Sequence, residues 1–252
     1  MRFLHSLLRL LVAAILLAPA VASGQVAPRD TSAEAEGTSF FGPKDVTIIV
    51  AATFLSIGVG HYDTKIAQYM RSSSVQGSDS TLVKTLTKAN ETTLTLAALL
   101  SYGIGRAVHS STLTDVSAHV GESLLLTNVV SQAIRGPFGR ARPYVTHDEN
   151  NSVFHVRKGF TSYDYRSLPS LHSASAFAAA SALTEEMRER DFGGTWIVAP
   201  VLYGAACIPG LTRMYLDQHW ASDVVMGAFV GAFLGQKVVH HAHTNPRNRF
   251  SA

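Results

Sequence analysis

Charged side chains are scarce in this sequence, and cysteine is almost absent. Lys, Arg, Asp and Glu make up 15% of the 252 residues, while 46% are hydrophobic; a typical soluble domain has roughly 25% charged residues. This composition excludes an intrinsically disordered chain. The single cysteine, Cys207, cannot close an internal disulfide and excludes a zinc site built on cysteine ligands.

Alternating strand patterns are also hard to find. The sequence instead has apolar, alanine-rich segments of helical length, and these predict a single all-α domain, a bundle of about six main helices. Residues 135–169 lack periodicity and contain several glycines and prolines, which is typical of a functional loop. The predicted helical segments are 46–60, 63–70 (short and amphipathic), 82–108, 116–134, 170–187, 196–209 and 222–241.

The first residues have the pattern of an export signal. Arg2 and Arg9 flank the start of an apolar run at 10–17, and the small residues at 20–22 offer a cleavage site. An uncleaved anchor helix is the alternative. The predicted boundaries are 1–22 for the signal peptide, 23–44 for a flexible leader, 45–242 for the helical domain and 243–252 for a tail.

Export changes the charge balance and the expected compartment. Cleavage removes two arginines and no acidic residue, so the formal net charge falls from +3 to +1. The sequence has no basic stripe and no basic patch with interleaved aromatics, so we expect no nucleic-acid partner. We predict a protein on the periplasmic side of the cell envelope.

Two features favour a bundle in or at the inner membrane. Residues 192–212 carry no charge, and Gly227, Gly231 and Gly235 form a ridge of small residues in the last predicted helix. Most other apolar segments are shorter than the roughly 20 residues of a membrane span, and the glycines suit a soluble bundle equally well. We favour the membrane and keep a soluble periplasmic protein as the alternative.

Two segments carry side chains suited to a phosphoryl group. Arg135 and Arg142 lie seven residues apart before Pro143, and planar guanidinium groups fit the oxygens of phosphate. Ser170 is positioned to cap a helix whose free N–H groups attract an anion. His172 in the first turn of that helix could protonate a leaving oxygen.

A third segment contains Arg213, His219 and Asp223. On a helix, residues four apart share a face, so Asp223 could fix the tautomer of His219 and leave its other nitrogen as a nucleophile. Each of the three segments alone also has an ordinary structural explanation, namely a solvated turn, a helix cap or a local contact.

Taken in order, the three segments resemble the signature of the superfamily of type 2 phosphatidic acid phosphatases (PAP2) and vanadium haloperoxidases. The resemblance covers about residues 94–236. Arg135 stands where lysine is usual, Leu171 where glycine is usual, and Thr212 where serine is usual. The matching motifs are Arg135-x6-Arg142-Pro143, Pro169-Ser170-x-His172 and Thr212-Arg213-x5-His219-x3-Asp223.

The resemblance implies a PAP2-like fold and a metal-independent phosphatase, without a cofactor, that hydrolyses phosphomonoesters or pyrophosphates, with lipid phosphates favoured. His219 would attack phosphorus and form a phosphohistidine, Asp223 would orient His219, and His172 would protonate the leaving alkoxide. The implied ligands of the phosphoryl oxygens are Arg135, Arg142, Arg213, Ser170 and the backbone N–H groups at Leu171 and His172.

Other functions stay open at this point. A soluble periplasmic acid phosphatase acting on small esters would use the same residues. A vanadium haloperoxidase would bind vanadate at His219, although such chains are generally much longer. A non-enzymatic anion-binding bundle is the third alternative. His240, His241 and His243 could bind a metal, but a solvated end is the interpretation that we favour.

Overall fold

The computed structural model describes residues 39–76 and 90–245, together with residues 83, 85, 86 and 88. The predicted signal peptide, most of the leader and most of the tail lie outside these residues. The described part is helical, with one isolated bridge between Arg140 and Phe154, which confirms the all-α prediction. The helices are α1 (Pro43–Gly60), α2 (Asp63–Arg71), α3 (Glu91–Ala107), α4 (Ser111–Phe138), α5 (Leu171–Glu189), α6 (Thr195–Tyr215) and α7 (Ala221–Thr244).

The bundle is built around α5 and α7, which share its most extensive helix–helix contact. The glycine ridge of α7 faces α5 at every step. A Cβ atom on Gly227 would lie 2.4 Å from the carbonyl oxygen of Ser170, and one on Gly231 would lie 1.9 Å from that of Ala174. Only glycine allows the two backbones to approach this closely.

Several predicted helix boundaries are wrong. The helix predicted from 116 begins at Ser111. The helix predicted over 82–108 is interrupted: residues 83, 85 and 86 are helical, but α3 begins at Glu91, where the side chain of Asn90 accepts hydrogen bonds from the first turn. Helix α4 continues through Gly136 and Pro137 and ends at Phe138, and the next residue, Gly139, has the left-handed conformation of a helix C-cap. Helix α6 continues past Pro209 to Tyr215, since a proline removes one hydrogen bond and does not always end a helix.

The outer faces of several helices are apolar. Phe54 on α1 is 70% exposed, Leu100 on α3 is 67% exposed and Trp196 on α6 is 76% exposed. Three described helices, α1, α6 and α7, are long and apolar enough to cross a membrane. Most of α7 is buried inside the bundle, whereas α1 and α6 turn most of their residues outward.

Between α4 and α5 the chain forms a long loop with three short 3-10 helices, Pro143–Thr146, Lys158–Phe160 and Tyr163–Tyr165. The loop packs against the C-terminal end of α4, where Gly159 lies against the backbone of Arg135. It then runs antiparallel to itself through the Arg140–Phe154 bridge. This loop supplies several residues of the candidate site described next.

Candidate active site

The structure brings the three sequence motifs together at one end of the bundle. Arg135 lies in the last turn of α4, rather than in a loop as predicted, and Arg213 lies in the last turn of α6. Ser170 precedes α5, and His219 precedes α7. These four residues come from four separate parts of the chain, and backbone carbonyls of the loop after α4 contact Arg135 and His219.

His219 is the most buried imidazole of this group. Its Nδ1 atom lies 2.7 Å from the carbonyl oxygen of Ser167. A carbonyl only accepts hydrogen bonds, so Nδ1 carries the hydrogen and Nε2 has the free lone pair. Nε2 is buried and has no hydrogen-bond partner among the described residues. Burial first, and then the nearby charge of Arg142, holds the pKa of His219 well below its usual range.

Asp223 acts on His219 by a different route from the predicted one. The two residues do not share a helix, because α7 begins only at Ala221, and the Nδ1–Oδ2 distance is 3.8 Å. Oδ2 of Asp223 instead accepts hydrogen bonds from the hydroxyl of Ser167 at 2.5 Å and the backbone N–H of Trp220 at 2.9 Å. Asp223 therefore fixes Ser167, whose carbonyl orients the imidazole.

Two arginines are fixed by backbone carbonyls of the same loop. Arg135 donates from Nε and Nη2 to the carbonyl oxygen of Arg166, at 3.1 and 2.8 Å. Arg142 donates from Nε to the carbonyl oxygen of Tyr163 at 3.0 Å, and its guanidinium carbon lies 3.9 Å from the centre of the Tyr163 ring. Residues 163–167 thus form a strip of carbonyls that orients Arg135, Arg142 and His219.

Gln218 connects Arg142 and Arg213. Its Oε1 atom accepts hydrogen bonds from Arg142 at 3.0 Å and from Arg213 at 3.2 Å. The hydroxyl of Tyr163 accepts from Arg213 at 3.1 Å and donates to Gln218 at 3.2 Å. The Nε of Arg213 is buried without a partner among the described residues, so it is available to an anion.

Ser170 is the N-cap residue of α5, as predicted, but its hydroxyl makes no capping hydrogen bond. Its Oγ atom is buried and has no partner in the described part of the chain. Its backbone N–H donates to the carbonyl oxygen of Asp223 at 2.9 Å, which fixes the start of α5 to the start of α7. Leu171 follows as the first residue of α5 and is buried.

His172 lies in the first turn of α5 beside an acidic residue that the sequence did not reveal. Its Nδ1 atom is 3.6 Å from Oε2 of Glu91, the first residue of α3. Burial, followed by the positive charge of Arg213, lowers the pKa of His172 to about 4. Glu91 opposes that shift, because a carboxylate stabilises the protonated imidazole.

A third arginine of the first segment, Arg140, lies behind the site. It donates to Oδ2 of Asp63 at 2.8 Å and to Oδ1 of Asp223 at 2.5 Å. Asp63 is fully buried and also accepts the backbone N–H of Ser222 at 2.9 Å. Arg140 is therefore paired with carboxylates and connects α2 to α7. Sequence reasoning gave no role to Arg140 or Asp63.

The C-terminal histidines lie away from this site, at the other end of α7. The expectation of a solvated end is wrong for His243, because α7 extends to Thr244 and the Nε2 atom of His243 lies 3.1 Å from Oε1 of Glu186. His240 is half exposed and lies 3.6 Å from Glu189.

Comparison with known proteins gives three similarities. A family model described as the PAP2 superfamily matches residues 117–247. A lipid A 1-phosphatase from Porphyromonas gingivalis is 39% identical over 70 residues, which are 28% of this chain and 15% of that protein. The crystal structure of a transmembrane PAP2 type phosphatidylglycerolphosphate phosphatase from Bacillus subtilis is 15% identical, with a TM-score of 0.38 over 96% of this chain and 98% of that one.

Proposed function

The chain belongs to the PAP2 superfamily, and on that premise we propose that it hydrolyses phosphate esters, preferably those of lipids, through a phosphohistidine at His219. The observation that carries this proposal is the tautomer of His219, with the hydrogen on Nδ1 and a free lone pair on Nε2. Nδ1 donates a hydrogen bond to the carbonyl oxygen of Ser167, so the buried lone pair on Nε2 is available for attack.

Three guanidinium groups would hold the phosphoryl oxygens. Arg135, Arg142 and Arg213 are each fixed by carbonyl, amide or phenol oxygens, so little reorganisation is needed when charge develops on the oxygens. The free hydroxyl of Ser170 and the N–H groups at the start of α5 complete the cradle. These groups leave Nε2 of His219 to attack phosphorus in line with the departing oxygen.

In the first step, Nε2 of His219 forms a bond to phosphorus while the bond from phosphorus to the ester oxygen breaks. His172 gives its proton to the departing alkoxide. The imidazole of His219 keeps its Nδ1 hydrogen and becomes positively charged, and the carboxylate of Asp223 at 3.8 Å stabilises that charge. In the second step, His172 takes a proton from water, the water oxygen bonds to phosphorus, and the bond to Nε2 breaks.

The preference for lipids rests on the outer surface of the bundle. The apolar faces of α1, α3 and α6 are exposed along with Phe54, Leu100 and Trp196, which is typical of a surface in contact with lipid. A bundle in the membrane would receive its substrate from the same phase. The predicted signal peptide supports an active site on the periplasmic side.

The first test measures phosphate release by the purified full chain in detergent with EDTA present, on an aryl phosphate and on a lipid phosphate in mixed micelles. We expect hydrolysis of both, faster on the lipid, and loss of at least about 1,000-fold in kcat for His219→Ala. His155→Ala, which changes an exposed histidine, is the control. Equal activity in wild type and His219→Ala would refute the covalent mechanism.

A further inference from the structure

A cluster of three ligand-type side chains lies at the end of the bundle opposite His219. His119 comes from α4, Glu186 from α5 and His243 from α7. Glu186 is 14 residues beyond His172 on the same helix, which corresponds to about 20 Å along the axis. The cluster is therefore separate from the proposed catalytic residues.

The three side chains converge on one oxygen atom. Nδ1 of His119 contacts Oε1 of Glu186, and Nε2 of His243 lies 3.1 Å from the same oxygen. One ligand atom from each residue lies within 4.8 Å of the others. Glu186 is 1% exposed and His119 is 8% exposed. Polar groups buried this deeply need partners; here they contact one another, and the same ligand atoms could instead bind a metal ion.

An arginine fixes the orientation of the central carboxylate. Nε of Arg190 donates to Oε2 of Glu186 at 2.9 Å, which leaves Oε1 directed at the two imidazoles. Arg190 in turn lies 3.8 Å from Oδ2 of Asp115 on α4. Outer groups that hold a ligating carboxylate in this way are a regular feature of metal sites.

The cluster also has access to water. His119 lines a cavity of about 990 Å³ between α3, α4 and α7, and Asp115, Glu122 and His241 line it as well. An ion could enter through this cavity, and a water molecule in it could supply a fourth ligand. The charged residues that line it are Asp115, Glu122 and Arg106.

We propose that His119, Glu186 and His243 bind a divalent transition-metal ion, for which Zn²⁺ is the best fit. Two imidazole nitrogens, one carboxylate oxygen and one water make a donor set that suits tetrahedral Zn²⁺. Each imidazole would coordinate as its neutral form, through the nitrogen that faces Oε1. The ion would join α4, α5 and α7 at the end of the bundle remote from catalysis, so its role would be to stabilise the fold.

The test uses the full chain in detergent, stripped with EDTA, dialysed and titrated with Co²⁺ and then Zn²⁺. We expect one equivalent of Co²⁺ to give visible d–d absorption, displacement by Zn²⁺, and a higher unfolding temperature with Zn²⁺. His243→Asn and His119→Asn should each weaken binding at least about 10-fold. Because His243 lies at the edge of the bundle, we expect His243→Asn to fold, so metal binding can still be measured in that variant if His119→Asn does not fold.

His240→Asn is the matched control, because His240 lies three residues from His243 on the same helix and belongs to a neighbouring, more exposed group with Glu185 and Glu189. It should bind as wild type does. The proposal is overturned if wild type binds no Co²⁺, if His243→Asn binds equally well, or if His240→Asn loses binding. Phosphatase activity plays no part in these readouts, so the proposed function stands or fails separately.

Discussion

The imidazole of His219 is oriented by a backbone carbonyl whose own residue is anchored by a carboxylate. The order of contacts runs from Asp223 through the hydroxyl of Ser167 to the carbonyl of Ser167, and from there to Nδ1 of His219. A small displacement of Ser167 would therefore turn the nucleophile away from phosphorus. Ser167 is thus a positioning residue in the proposed mechanism.

Replacing Ser167 with alanine removes the hydrogen bond to Asp223 and keeps the carbonyl. We expect kcat to fall about 10-fold or more, because a buried carboxylate loses a partner, while KM changes little since the arginines remain in place. Steady-state kinetics on an aryl phosphate would measure both constants. Ser152→Ala, which changes an exposed residue, is the control. A rise in KM with unchanged kcat would contradict a positioning role.

The pKa of His172 depends on the charges around it, which bound substrate would alter. It is lowered to about 4 by burial and then by Arg213, so the free protein holds His172 neutral at pH 7. An anion on the arginines would offset their charge and raise this pKa, which the proposed general acid requires. NMR titration of labelled histidine, with and without inorganic phosphate, should show the upward shift. An unchanged value would contradict the role of His172 as acid.

The same shift has a consequence for stability. The ordinary histidine pKa of about 6.5 lies above the folded value of about 4, so the unfolded chain binds more protons between these limits. Stability contributed by neutral His172 is therefore present above pH 6.5 and is lost as the pH falls towards 4. His172→Asn should flatten the decrease in unfolding temperature over this window. A parallel decrease in wild type and variant would show that other groups cause it.

Much of the candidate site follows from the sequence, because the three motifs name the side chains that would touch a phosphoryl group. The groups that orient them do not follow. A sequence does not show that the backbone carbonyls of Tyr163, Arg166 and Ser167 orient these side chains, since every residue has a carbonyl. Glu91 and Asp63 begin helices far along the chain from the motifs, and only the packing of α2 and α3 brings them close.

At the scale of elements, the contact between α5 and α7 determines the geometry of the site. Ser170 and His172 begin one helix, and Asp223 lies in the first turn of the other. The helices were predictable from apolar periodicity, and their ends were not. Asn90 begins α3 by accepting two hydrogen bonds, and Gly139 ends α4 with a left-handed conformation. Apolar periodicity does not reveal such local interactions.

Gly231→Ala tests this contact. The new Cβ would lie 1.9 Å from the carbonyl oxygen of Ala174, so the helices must separate, and we expect a loss of about 1–3 kcal/mol in stability together with lower kcat. Gly204→Ala on α6 is the matched control, because nothing lies within 4 Å of its Cβ. That change should be neutral or stabilising by about 0.5–1 kcal/mol. Thermal unfolding in detergent measures both, and equal effects would contradict the account of close packing.

At the scale of the whole molecule, the exposed apolar faces of α1, α3 and α6 distinguish a membrane bundle from a soluble one. A soluble monomer rarely exposes apolar patches of more than a few hundred Å². The sequence hardly distinguishes a membrane bundle from a soluble one, because hydropathy does not reveal which face of a helix is buried. The structure shows that α1 and α6 direct most of their length outward.

We therefore expect the full chain to fractionate with membranes, to resist extraction by high salt, and to require detergent for a monodisperse peak in size-exclusion chromatography. The physical reason is that exposing these apolar faces to water costs free energy. The buried helix α7, although apolar, contributes little to this behaviour. A chain that stays soluble and monodisperse without detergent would support the periplasmic alternative instead.

The close contact between α5 and α7 fixes the relative position of most of the proposed catalytic residues. The proposed nucleophile, the proposed acid and part of the proposed phosphate site lie on or next to these two helices, where an added methyl group on Gly227 or Gly231 would meet backbone. Helix α3 approaches His172 from the other side through Glu91. Substitutions intended to change leaving-group preference would therefore be made on α3, and the contact between α5 and α7 would be kept.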